Sequence, residues 1–169
     1  MIRPTREHEI DRLQAIERSA GTRFLDFPAL AWIASEPPFP PERHRRLIAA
    51  GGSWVATEPR DEPIGFLCAE ATGDDLHIRE VSVHRAHQGK GHGASLVRHA
   101  IDAARDRRFR RVTLTTFRAV EWNAPFYARL GFMTLEGDRL DDRLADILEV
   151  EARHGFAPGT RCAMALIPA

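Results

Sequence analysis

Leu76-His77-Ile78-Arg79-Glu80-Val81-Ser82-Val83, followed after a short turn by Gln88-Gly89-Lys90-Gly91-His92-Gly93, is the stretch from which the rest of this chain can be read. The first part reads as a strand. Beyond the glycines, Leu96, Val97, Ala100, Ile101 and Ala104 recur at three-or-four spacing, the period of one buried helix face. The glycines therefore sit at a strand-to-helix corner. There the first helical N–H groups lack intrahelical partners and carry the positive end of the helix dipole, so an anion can bind. Without a Cβ, glycine lets phosphate oxygens come close to the main chain.

Two familiar phosphate loops do not fit. A P-loop needs Ser or Thr after its lysine, and Lys90 is followed by Gly91. A dinucleotide fingerprint starting at Gly91 needs a small residue where Leu96 stands, and the next strand ends in Thr115-Thr116 without an acidic ribose partner. What remains is Gln-x-x-Gly-x-Gly (Gln88, Gly91, Gly93) after a strand ending Val-x-Val. This resembles the acyl-CoA pyrophosphate loop of the GNAT superfamily of N-acetyltransferases. A second stretch, Asn123-Ala124-Pro125-Phe126-Tyr127-Ala128-Arg129-Leu130-Gly131-Phe132, is similar to the family's carboxy-terminal motif, in which Asn opens a helix, an aromatic pair follows and Gly-Phe closes it. Arg85 stands where the family commonly has Pro, and His92 where an aliphatic residue is usual. Neither change removes a backbone donor.

Composition narrows the field. The 169 residues suit a single domain over 1–169 with a real core. At 43% hydrophobic and 28% charged residues the chain reads as an ordinary soluble protein. Zero net charge gives no support to nucleic-acid binding. No apolar run approaches the roughly 18 residues of a membrane span, and Met1-Ile2-Arg3-Pro4 lacks a signal peptide's apolar core, so a cytoplasmic protein is expected. Cys68 and Cys162 fall on predicted strands without metal-ligand spacing and read as buried thiols. No metal is expected.

Working outward, Thr5 reads as the N-cap of a helix with Ile10, Leu13 and Ile16 inward, ended by Gly21. An aromatic, proline-broken segment follows, with helical pieces around residues 29–34 and 42–50 that cannot join across Pro37, Pro38, Pro40 and Pro41. It reads either as a helix pair on a sheet or as an aromatic lid over an acceptor pocket. Residues 53–57 and 64–69 form a hairpin that Gly73-Asp74-Asp75 extends into the central strand. The run Arg105, Arg107, Arg108, Arg110 and Arg111 reads as a solvated helix end complementing the dipole, with contacts to a nucleotide phosphate or an acidic partner as the alternative. Residues 112–117 are a strand, 123–130 a short helix, 132–136 and 161–167 two more strands, and 141–153 a helix with Leu144 and Leu148 inward.

That element order is the order of the GNAT fold: α/β (α+β), a central mixed, mostly antiparallel twisted sheet of about seven strands flanked by helices. The resemblance implies acetyl-CoA as acyl donor and an amine as acceptor. Glu80 is the candidate base and Tyr127, the only tyrosine in the chain, the candidate acid for the leaving thiolate. The main chain of Val81, Ser82 and Val83 would pair with the pantetheine amides, and Asn123, Phe126 and Tyr127 would flank that arm. Gln88, Gly89, Lys90, Gly91, His92, Gly93 and Ala94 would wrap the pyrophosphate. For the acceptor, Phe24, Trp32, Arg79, Phe117 and Trp122 are the expected lining, which hints at an apolar or aromatic amine. A small amine, a protein lysine or amino terminus, and a non-catalytic acyl-CoA-binding role all remain open at this point. Homodimers are common in the family, but nothing in the sequence selects an interface.

Overall fold

The hairpin, the glycine corner and the short Asn-led helix all form. A computed structural model describes residues 1–168. The strands are β1 (Ile2–Pro4), β2 (Ser53–Thr57), β3 (Pro63–Thr72), β4 (Asp75–Val83), β5 (Arg111–Phe117), β6 (Met133–Leu135) and β7 (Arg161–Leu166). The helices are α1 (Ile10–Gly21), α2 (Pro41–Ala49), α3 (His92–Asp106), α4 (Ala124–Arg129) and α5 (Asp142–His154). One seven-stranded sheet has the order β1-β2-β3-β4-β5-β7-β6. β4 and β5 run parallel, while β1–β2, β2–β3, β5–β7 and β6–β7 are antiparallel. This is the mixed α/β sheet with flanking helices that the sequence implied. No helix among the described residues is long and apolar enough to cross a membrane.

The chain divides into two compact units, one holding Met1–Ala71 with Ile78–Ala103, the other Thr72–His77 with Ala104 onward. In the first, the α1 stripe behaves as its spacing requires: Leu13 and Ile16 pack with Leu47 of α2 and with Val55, Phe66 and Cys68 of β2 and β3. Thr5 is not the N-cap. Its hydroxyl instead meets Ser53 Oγ at 2.8 Å and its N–H donates to Ser53 O at 3.0 Å, tying β1 to β2. A 3₁₀ turn, Glu7–Glu9, leads into α1 instead, and the Glu9 carboxylate closes that turn by accepting Arg6 N–H at 2.8 Å. The proline-broken segment forms two 3₁₀ helices, Thr22–Asp26 and Pro28–Ser35, rather than an α-helical piece over 29–34.

Gly52 carries the tightest backbone approach of this unit. Its carbonyl accepts Ala69 N–H at 2.7 Å, and a Cβ built there would stand 2.0 Å from Ala69 O. Neither atom belongs to a side chain that could swing away. Gly52→Ala is expected to lower unfolding free energy by about 3 kcal/mol, the upper end for overpacking; urea titration of the two proteins checks this.

In the second unit Leu135, Leu144, Ala163 and Ala165 form the core, with Leu140, Ile147 and Leu148 against it. α5 starts one residue later than expected because Asp141 is its cap, its side chain accepting Leu144 N–H at 3.0 Å. Arg111 leaves the solvated run assigned to it. It opens β5 and donates to Asp75 through Nε (3.1 Å) and Nη2 (2.6 Å), and to Asp141 at 2.6 Å. Arg143 adds a bond to Asp75 at 2.9 Å. Arg111 thus joins a long-range ion network, while Arg105, Arg107, Arg108 and Arg110 stay exposed as a run of surface charge.

Candidate active site

The glycine corner holds itself open. Past Val83, His84 Nδ1 accepts Ala86 N–H (3.3 Å), Gln88 Nε2 donates back to Val83 O (2.9 Å) and Lys90 Nζ to Ala86 O (3.2 Å). Gly89 and Gly91 have φ of 75° and 84°, a conformation that disfavours any residue with a Cβ. A Cβ at either would meet nothing within 4 Å, so the demand is conformational and the space above the loop is clear. Ser95 N–H bonds to Gly91 O at 3.0 Å, which puts the amides just upstream at the open end of α3. Burial holds the imidazoles of His84 and His92 below the usual histidine value. The departure at Arg85 has a use: its N–H, which proline would lack, donates to Ser19 Oγ of α1 at 3.0 Å.

Glu80 and Ser82, two apart on β4, share a face, and Ser82 Oγ donates to Glu80 Oε1 at 2.6 Å. Arg79 binds Glu70 through Nε (2.7 Å) and Nη2, and Arg118 binds Glu136 (2.7 Å). Arg79, expected among the acceptor contacts, is thus half of an ion pair.

One acid escaped the sequence reading. Glu17 follows Ile16 on α1, and both its carboxylate oxygens accept Phe39 N–H, at 3.2 and 3.1 Å. Burial, then the charge of Glu80, push its carboxyl up to about 8, against the Phe39 N–H and the charges of Arg43 and Arg18. The signal was positional: Leu13 and Glu17 are four apart, so a carboxylate falls on the apolar stripe. Gln14 Nε2 holds Phe39 O at 2.8 Å and the Arg43 guanidinium lies 3.7 Å over the Phe39 ring. Beneath them Ser53 Oγ, Cys68 Sγ and His44 Nδ1 form a buried chain (3.6 and 3.9 Å). Burial pushes the Cys68 thiol up to about 12 and lowers the His44 imidazole. His44 and Cys68 are therefore neutral at pH 7.

In the second unit Asn123 leads α4. Its Oδ1 accepts Thr116 Oγ1 at 2.7 Å, and its carbonyl accepts Tyr127 N–H at 3.0 Å. Tyr127 lies between Phe126 and Phe132, ring centroids 5.0 and 5.7 Å away, the edge-to-face spacing aromatic pairs prefer. Phe117 is only 4% exposed, packed edge-on to Phe156 with the Arg161 guanidinium 4.6 Å from its ring; its side chain is committed to packing. Trp122 is half-buried in this unit, as are Phe24 and Trp32 on the 3₁₀ segment of the first. Among the described residues no group of three or more His, Cys, Asp or Glu is gathered as metal ligands.

The profile of the Acetyltransferase (GNAT) family matches residues 16–132, well over half of the chain. The chain belongs to the GNAT acetyltransferase family. It is an acyltransferase dependent on acetyl-CoA. Solved structures share its fold at low identity. Rv2747 from Mycobacterium tuberculosis, in complex with CoA, is 21% identical with a TM-score of 0.73, over 99% of this chain and 98% of that one. PaiA N-acetyltransferase from Thermoplasma acidophilum, in complex with coenzyme A, is 14% identical with a TM-score of 0.71, over 99% and 98%. The ribosomal-protein-S18-alanine N-acetyltransferase from Escherichia coli is 15% identical with a TM-score of 0.65, over 100% and 94%.

Proposed function

We propose that this GNAT enzyme transfers the acetyl group of acetyl-CoA to a primary amine of a small molecule, the amine attacking the thioester directly. The observation that carries the acceptor class is the tethered cover next to α1. Phe39, set between Pro37-Pro38 and Pro40-Pro41, has its N–H held by Glu17 and its carbonyl by Gln14. Arg85 reaches Asp26 of the first 3₁₀ helix at 3.2 Å. A cover pinned in this way suits a compact acceptor, whereas a polypeptide needs an open trench.

Bringing an alkyl ammonium of pKa about 10.4 to its neutral form at pH 7 costs about 3.4 units, or ~4.6 kcal/mol, so a base is worth having. Glu80 is assigned that role and Tyr127 the protonation of the departing thiolate. Residues 88–94 would grip the diphosphate through main-chain N–H groups, and the clear space above Gly89 and Gly91 supports this fit. Val81, Ser82 and Val83 would pair along the pantetheine arm like an added strand, with Asn123, Phe126 and Tyr127 beside it. Phe24, Trp32 and Trp122 are assigned to the acceptor.

Release of free CoA from acetyl-CoA with phenethylamine, putrescine or a lysine-bearing hexapeptide tests the reading. Turnover with a small amine is expected; turnover with the peptide alone would transfer the assignment to protein acetylation. Tyr127→Phe should lower kcat by about 10²-fold with acetyl-CoA affinity by calorimetry little changed. Equal kcat in the two proteins would remove the acid role.

A further inference from the structure

One cation in the first unit lacks what its neighbours have. Arg3, Arg12, Arg79 and Arg85 each reach a carboxylate, on Glu9, Glu62, Glu70 and Asp26. Arg18, Arg46 and Arg60 are exposed, where water solvates them. Arg43 on α2 is half-buried, yet among the described residues no hydrogen bond or ion pair reaches its guanidinium. What it touches is the Phe39 ring, 3.7 Å from its centroid. Desolvating a guanidinium without a counter-charge is unfavourable. Burial first, and the charge of Arg79 second, lower the Arg43 guanidinium below its ordinary value, and Glu70 does not offset them.

The nearby acids are committed. Glu70 is held by Arg79 Nε at 2.7 Å. Glu17 gives both oxygens to Phe39 N–H, and with burial pushing its carboxyl up to about 8 it keeps its proton at pH 7. His44, its ring 6.0 Å from that of Phe39, has Nε2 buried without a hydrogen-bond partner, so no acid lies within reach of that atom either. The position of the cation is nevertheless fixed. Phe39 is clamped through its N–H by Glu17 and through its carbonyl by Gln14 Nε2 at 2.8 Å, and Arg43 N–H bonds Pro40 O at 3.0 Å in the first turn of α2. A guanidinium lying over an aromatic ring still presents its N–H fork in plane, the geometry that takes a carboxylate through two parallel bonds.

We propose that Arg43 recognises a carboxylate on the acceptor: the amine acetylated here also carries an acid group, so an amino acid is preferred to its decarboxylated counterpart. This inference rests on the amine-acetylation reading, in which Phe39 belongs to the cover over the acceptor. The bound carboxylate supplies the counter-charge that Arg43 lacks. It also fixes the acceptor by its acid end and leaves the amine free to attack the thioester.

Matched pairs test the assignment: L-phenylalanine against phenethylamine, and L-ornithine against putrescine, compared by kcat/KM at one pH in the wild type, Arg43→Gln and Arg43→Lys. In at least one pair the wild type is expected to favour the carboxylated member. Arg43→Gln should lower kcat/KM for that member by about 10- to 100-fold more than for its partner, mostly through KM, the size of a lost hydrogen bond to a charged group. Arg43→Lys, which keeps the cation without the fork, should restore only part of this. Preference for the decarboxylated member in both pairs, or equal losses on the two members, would overturn the assignment. A second readout needs no turnover. With nitrogen-15 arginine and coenzyme A present, the Nε–H resonance missing from Arg43→Lys is expected to shift on adding 3-phenylpropanoate to the wild type and to stay in place with phenethylamine. An unmoved resonance rules out carboxylate capture even where amines are acetylated. If no amine yields CoA while the resonance shifts, the amine reading falls and the carboxylate site stands.

Discussion

Asp75→Asn is expected to lower the free energy of unfolding by about 3–5 kcal/mol, the loss seen when one partner of a buried ion pair is removed. Asp75 has a side chain only 5% exposed and faces three arginines: Arg111 and Arg143 in hydrogen bonds, Arg110 at 3.7 Å. Arg143 Nη1 is already buried without a hydrogen-bond partner, and loss of the carboxylate charge would leave Arg111 and Arg143 to share the charge of Asp141. Asparagine keeps the volume and one acceptor, which isolates the charge as the cause. The pH dependence gives a second signature. Burial would raise the Asp75 carboxyl, but the hydrogen bonds and charges of Arg111 and Arg143 outweigh it and hold it below the usual carboxylate range. A depressed value means stability present above the unfolded value of about 3.9 and lost as pH falls through the folded one. Wild-type stability should therefore drop more steeply than that of Asp75→Asn below about pH 4. Parallel curves in urea titrations at pH 7 and pH 3 would show that the network is no more than surface charge.

Glu80→Gln is expected to lower kcat by about 10²- to 10⁴-fold, the usual worth of a positioned base, while the affinity for acetyl-CoA stays near wild type. The glutamine carbonyl can still accept Ser82 Oγ, so the side chain keeps its anchor and loses only the capacity to take a proton. Removing the charge also relieves Glu17, whose raised carboxyl owes part of its shift to Glu80. The Glu17 carboxyl should then titrate lower than in the wild type. A wild-type rate in Glu80→Gln would strip it of the base role.

What the sequence made legible was mostly local. The glycine corner could be read because turn, φ and helix start are set by neighbours within a few residues, as Gln88 to Val83 and Ser95 to Gly91 illustrate. The Asn-led helix and its aromatic pair were legible for the same reason. Thr5 was misjudged because its hydroxyl is claimed by Ser53, a strand partner far along the chain, and long-range pairing overrides a cap preference. Arg111 was lost in a basic run because its partners Asp75 and Asp141 lie 36 and 30 residues away. The aromatic segment kept its helical tendency but, broken by prolines, settled into 3₁₀ turns. Glu17 went unread because a lone acid on an apolar stripe looks like noise until the opposing strand is known.

The two cysteines carry a consequence for an enzyme whose donor is a thioester. Acyl exchange onto a protein sulfur requires a thiolate within reach. Cys68 is 0% and Cys162 1% exposed, and burial raises both thiols above their ordinary value. The protein should therefore resist acylation by its own donor. In a colorimetric assay, an aromatic disulfide dye should count released coenzyme A alone, the folded chain adding no background.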